Sequence, residues 1–111
     1  MATDRNRRVS EQIKRQLSTL ISREVSDPRL GMVGVSAVVL SKDFKIATVY
    51  ISVFKDEQAK DSLEALRSAS GFLRTQLSKV INQRNTPKLI FEHDTTVTDA
   101  IAMSKLIDSV L

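Results

Sequence analysis

The stretch SLEALRSASGFLRTQLSKVINQR, residues Ser62–Arg84, decides how the rest of the chain is read. Leu63, Leu66, Leu73, Leu77 and Val80 recur at three- and four-residue spacings, the apolar stripe of an amphipathic helix. Ser70 falls on that stripe where a larger apolar side chain is expected, and Gly71 follows it. A Ser–Gly pair in mid-helix is one of the few local causes of a sharp kink, and Gly there costs about 1 kcal/mol relative to Ala. From Arg67 to Phe91 there is no Asp or Glu, whereas Arg67, Arg74, Lys79, Arg84 and Lys88 are all positive. A buried stripe, a break and a charge field of one sign coincide here. Together they predict a nucleic-acid-binding helix pair.

Toward the N-terminus, Lys55–Asp61 is a polar loop, and Ile46–Phe54 reads as a strand. In that strand Ala47, Val49, Ile51 and Val53 alternate with Thr48, Tyr50 and Ser52, so one face is buried and the other wetter. Val33–Ser41 reads as a partner strand with Val33, Val35, Ala37 and Val39 on one face. The short link Ser41-Lys42-Asp43-Phe44 favours an antiparallel hairpin. Before it, Asp27-Pro28-Arg29-Leu30-Gly31 stops a helix, because the residue ahead of proline is pushed out of the α region. That helix runs from about Arg7 to Val25, with Val9, Ile13, Leu17, Leu20 and Ile21 on its apolar face. Arg8, Lys14, Arg15 and Arg23, with Glu11, lie opposite, and residues 1–6 are expected to fray.

Toward the C-terminus, Thr86-Pro87 ends the central helix and Lys88–Asp94 reads as a third strand. Met103, Leu106, Ile107 and Val110 suggest a closing helix over Val97–Leu111, with a frayed end. The order is α-β-β-α-(kink)-α-β-α: one α+β domain spanning residues 1–111, with a three-stranded sheet packed against helices.

Composition bounds the function. A chain of 111 residues is most simply one domain. Seventeen Lys and Arg against 13 Asp and Glu give a net charge of +4, which permits polyanion binding without demanding it. There is no cysteine and a single histidine, so a reducing cytoplasm is expected, with no metal site and no cofactor. The apolar runs are far too short to span a bilayer, and no apolar segment follows the charged N-terminus as in a secretory signal. Aromatics make up 5% and Trp is absent, which argues against a stacking platform for single strands.

The window from Arg67 to Lys88 is either a phosphate-tracking surface or a solvated helix face, and its complete lack of carboxylates favours the first. The candidate RNA-binding residues are Arg67, Ala69, Ser70, Gly71, Arg74, Lys79, Arg84 and Lys88, joined by Arg8 and Arg15 on the first helix. Gly31-Met32-Val33-Gly34 matches the G-x-x-G loop of KH domains. It lies between a helix and a strand rather than between two helices, so a turn and a strand entry explain both glycines. His93 beside Asp94 reads as a surface histidine, since strand neighbours point to opposite faces. There is no P-loop, dinucleotide fingerprint or catalytic constellation, and the chain is not expected to be an enzyme.

The α-β-β-α-α-β order with a basic break at mid-chain is similar to a type II KH domain. Within it, Asp27-Pro28-Arg29-Leu30-Gly31 resembles the DPR element of the ribosome-binding factor A family. Ser41-Lys42-Asp43-Phe44, followed by Ala47-Thr48-Val49-Tyr50-Ile51-Ser52-Val53, resembles that family's S-x-D and strand signature. Ala69-Ser70-Gly71 is similar to its A-x-G kink, which stands where ordinary KH domains carry G-x-x-G. Arg84-Asn85-Thr86-Pro87-Lys88-Leu89, with Phe91 and Asp94, resembles its R-x-x-P-x-L-x-F stretch. These elements cover Val9 to about Asp94 in the right order, and five together are highly specific. The sequence stops at Leu111, without the extended polar tail of many relatives.

The resemblance implies a monomeric assembly factor that binds the small ribosomal subunit and its rRNA late in maturation. It also implies support for processing of the precursor's 5′ end, greatest importance in the cold, and release by an assembly GTPase. In this reading the Ala69-Ser70-Gly71 kink lets the helix backbone approach a sugar-phosphate chain while the cations neutralise phosphates, so shape and backbone contacts outweigh base readout. Two alternatives stay open: a free-standing KH-type binder of single-stranded RNA, and an interaction module for an acidic protein partner.

Overall fold

The computed structural model describes residues 4–81 and 85–95. Helix α1 (Asp4–Glu24) leads into strands β1 (Val33–Leu40) and β2 (Ile46–Val53). A 3-10 turn (Asp56–Gln58) then opens helix α2 (Ala59–Ser68), followed by α3 (Ser70–Ser78) and strand β3 (Lys88–His93). The sheet order is β1-β2-β3. The hairpin pair is antiparallel, but β3 lies parallel to β2 and pairs Ile46 with Lys88 and Ile51 with His93. A parallel neighbour needs a crossover connection, usually helical, and α2–α3 supplies it. This is the α-β-β-α-α-β KH-like arrangement that the sequence suggested; its closing helix, Val97–Leu111, lies outside the described residues.

The core forms on one face of the sheet. Val9, Ile13, Leu17 and Ile21 of α1 meet Leu63 and Leu66 of α2 and Leu73 and Leu77 of α3 over Ala47, Val49, Ile51, Leu89 and Phe91. Each fully buried Leu, Ile or Phe side chain contributes about 1.5–3 kcal/mol relative to exposure. The three helices therefore share one layer, with their polar sides outward.

Five details differ from the reading of the sequence. The segment read as a polar loop, Lys55–Asp61, holds the 3-10 turn and the first residues of α2, from Ala59. The first helix begins at Asp4, so residues 4–6 are ordered helix rather than frayed chain. In β1, strict alternation fails at a β-bulge between Val35 and Ala37. An extra residue in one strand reverses which side chains face inward. Val33 and Val35 face the core before the bulge and Val38 and Leu40 after it, leaving Val39 55% exposed on the outer face. The bulged Ser36 hydroxyl lies 3.2 Å from the Tyr50 carbonyl and 2.6 Å from the Asp94 carboxylate, tying the bulge across β2 to the end of β3.

The helix break falls at Ala69, one residue earlier than the Ser–Gly pair, with φ −89° and ψ 0°. Its N–H is shared between the carbonyls of Ala65 and Leu66, at 3.0 and 3.1 Å. That sharing tightens the last turn of α2 toward 3-10 geometry. Finally, α3 stops at Ser78, so Val80 is 47% exposed and Ile81 is buried in its stead.

Candidate nucleic-acid interface

Asp27 and Arg29 fix the connection that places α2. The Asp27 carboxylate accepts the Arg29 backbone N–H at 2.9 Å and the guanidinium at 2.8 Å. The Arg29 hydrogen bonds hold its carboxyl below the usual carboxylate range. The same guanidinium donates to Ser68 Oγ at 3.3 Å, at the last residue of α2. Two residues on, the Gly31 N–H donates to the buried Ser62 hydroxyl at 3.0 Å. A Cβ on Gly31 would collide with the Gln58 side chain, and one on Gly34 would sit 3.3 Å from Ser52 Oγ. Both glycines of the G-x-x-G match therefore face this protein's own side chains.

Gly71 is different. It lies exposed in the first turn of α3, its φ is not positive, and a Cβ built on it meets nothing within 4 Å. Neither backbone conformation nor internal packing calls for glycine there. What its missing side chain leaves is open access to the helix backbone. Ala69 and Ser70 beside it are half-buried, and Phe72 is 44% exposed. This exposed aromatic at the break is absent from the candidate residues read from the sequence.

The cations divide by what holds them. Arg67 donates to the Phe91 carbonyl at 3.0 Å and lies 3.8 Å from the Glu92 carboxylate, so it clamps α2 to β3 while half its side chain stays exposed. Arg74 directs Nε and one terminal nitrogen onto the Thr86 carbonyl, at 3.2 and 2.9 Å. A guanidinium carries five N–H donors, so both arginines retain donors for phosphate. Lys79 and Lys88 are exposed, and no ion pair to either is found among the described residues. Arg8 and Arg15 lie on the outward face of α1, opposite its buried stripe, with Glu11 between them. Arg84 lies outside the described residues.

The structure brings three further cations near this set. The Lys88 N–H donates to the Lys45 carbonyl at 2.8 Å, which seats the start of β3 beside the β1–β2 turn. Lys42 lies in the same turn, and the Arg5 guanidinium sits 5.4 Å from the Phe44 ring centroid. These were missed because nothing in the residue pattern reveals the parallel register that joins Lys45 to Lys88. By contrast His93 is half-buried at the end of β3, and Asp94 beside it accepts from Ser36 Oγ. No cluster of potential metal ligands occurs among the described residues, and no described helix is long and apolar enough to cross a membrane. A cavity of about 290 Å³ at the other end of the sheet is lined by Ile21, Val25, Leu30, Met32 and Val33, with no ionisable side chain.

An exposed helix break, an uncrowded glycine and carboxylate-poor flanks suit a sugar-phosphate chain better than a small molecule. The family model for ribosome-binding factor A matches residues 5–107. The chain is 43% identical to ribosome-binding factor A of Clostridium beijerinckii, covering 99% of this chain and 96% of that one. It is 46% identical to the Lachnoclostridium phytofermentans protein of that name, over 96% and 79% of the two chains. Its fold is similar to the crystal structure of ribosome-binding factor A from Thermus thermophilus, with a TM-score of 0.73, 33% identity, and coverage of 79% and 93%. A homology model of the Thermus thermophilus factor, fitted into a cryo-EM map of its 30S complex, gives a TM-score of 0.66 at 34% identity, over 77% and 90%. A family model matched over nearly the whole chain and relatives above 40% identical settle the family: the chain belongs to the ribosome-binding factor A family.

Proposed function

We propose that this protein is a ribosome assembly factor that binds the small ribosomal subunit and its rRNA during late maturation. The observation that carries the reading is its similarity, over 77% of the chain, to a factor fitted into a 30S complex. The candidate surface supports it physically. Arg67, Arg74, Lys79 and Lys88, with Ala69, Ser70 and Gly71, form a face able to follow a phosphate backbone, and Arg8 and Arg15 extend it along α1. Because these groups reach phosphate and sugar rather than base edges, specificity comes from the folded shape of the rRNA.

In this proposal the whole chain acts as one KH-like domain, as a monomer and without catalysing a reaction. It works in the cytoplasm, supports processing of the rRNA 5′ end, matters most in the cold, and leaves with the help of an assembly GTPase. RNA helices gain stability as temperature falls, so misfolded rRNA escapes more slowly without a factor that favours the productive arrangement. Sedimentation tests the proposal. The protein is expected with free small subunits and scarce on polysomes, and a deletion strain grown cold is expected to accumulate rRNA with unprocessed 5′ ends. An even spread through polysomes, with normal rRNA ends in that strain, would sink it.

A further inference from the structure

The end of the sheet where the β1–β2 turn meets β3 is built more rigidly than a solvent-exposed turn requires. Ser41 and Ile46 close the hairpin through a 2.9 Å backbone hydrogen bond, and Phe44 donates its N–H back to the Ser41 carbonyl at 3.0 Å. The one carboxylate of the turn, Asp43, accepts from Ser41 Oγ at 2.7 Å and from the Lys45 N–H at 3.1 Å. It is held first by the turn's own hydroxyl and backbone, with a smaller charge–charge attraction to Lys45.

Phe44 holds φ 60°, a left-handed conformation that bulky side chains rarely adopt. Such residues persist where their surroundings over-determine them, and they cluster at functional sites. Here the ring packs against the core on one side and lies under the Arg5 guanidinium. Lys42 and Lys45 are left exposed, Lys45 beside Lys88, with no ion pair among the described residues. Thr86, two residues before Lys88, is the carbonyl that Arg74 grips. Arg74 of α3 is thus tied to Thr86, and Lys88 to Lys45, with Lys42 in the same turn.

We propose that Lys42 and Lys45 form, with Lys88, a second phosphate-binding contact, so that the sugar-phosphate backbone passing the helix break continues across the β1–β2 turn. The contact rests on the rRNA-binding reading above and extends it to a part of the chain that the basic helix window does not include. The turn supplies a fixed platform, and the lysines supply point charges suited to phosphate without base preference.

The test is binding of the full chain to purified small subunits over a range of salt, using Lys42→Gln/Lys45→Gln. A control, Lys55→Gln/Lys60→Gln, removes the same charge at the other end of the sheet. The turn's hydrogen bonds use the Lys45 backbone, so the fold should persist, and thermal unfolding checks it. The turn variant is expected to bind roughly tenfold more weakly, with the log–log salt slope reduced by about two units, while the control keeps wild-type values. Wild-type affinity and slope in the turn variant, or equal losses in both variants, overturn the second contact and leave the rRNA-binding reading standing. Failure of the wild-type chain to bind subunits overturns both.

Discussion

Arg74 grips the backbone carbonyl of Thr86 with two nitrogens of its guanidinium, holding α3 to the segment that enters β3. A charged donor bonded to a carbonyl contributes about 1.5–3 kcal/mol where water is excluded, and less at an exposed site such as this. Arg74→Glu is therefore expected to lower stability by about 1 kcal/mol as well as weakening subunit binding. Lys79→Glu, which breaks no described contact, should reduce binding and its salt dependence alone. Denaturant melts beside salt titrations separate the two effects.

Gly71→Ala should raise stability by roughly 0.5–1 kcal/mol, because Ala suits a helix better and the added methyl meets nothing. If the helix backbone is approached closely by RNA, the same variant binds subunits more weakly, and Gly71→Leu more weakly still. A variant that melts higher yet binds equally well would make the open backbone incidental.

Ser62→Ala should cost about 1–2 kcal/mol, because it strands the Gly31 N–H that now donates to a fully buried hydroxyl. Subunit affinity measured well below the melting temperature should not change, since Ser62 faces inward. Urea unfolding with an unchanged m-value checks that the effect is on stability.

Asp27 and Asp43 both hold their protons less tightly than the ordinary value of 3.8, Asp27 through its hydrogen bonds from Arg29 and Asp43 through those from Ser41 and the Lys45 N–H. A depressed carboxylate stabilises the fold above its unfolded pKa, and that contribution disappears as pH falls through the folded one. Thermal stability should therefore decline below about pH 4, and Asp27→Asn should flatten the decline at the cost of lower stability at neutral pH. An unchanged acid limb in that variant would rule out the Asp27–Arg29 pair as a contributor.

The alternation in β2 and the stripes of α1 and the central helices made the fold readable, because burial on one face imposes period 2 or 3.6. Ala37 and Val39 were misplaced, since a bulge at Ser36 leaves no mark in a run of small and β-branched residues. Val80 and Ile81 exchanged roles because two adjacent apolar residues do not reveal where a helix stops. The basic field around Arg67 and Arg74 was legible as charge, but their use as clamps on Phe91 and Thr86 was not. Charge counting registers a cation without its partner. Lys45 stayed hidden because its neighbour Lys88 arrives through tertiary pairing.

That parallel pairing makes the basic surface conditional on the order of folding. The β1–β2 hairpin closes locally, but β3 joins only after residues 54–87 have folded back, a non-local closure that tends to come slowly. Until then Lys88 and Thr86 lie away from Lys45 and Arg74, and the sheet edge of β2 is unpaired. A full-length but partly unfolded copy thus carries the same net charge as the native protein without its arrangement. Only a copy with β3 paired presents the proposed surface.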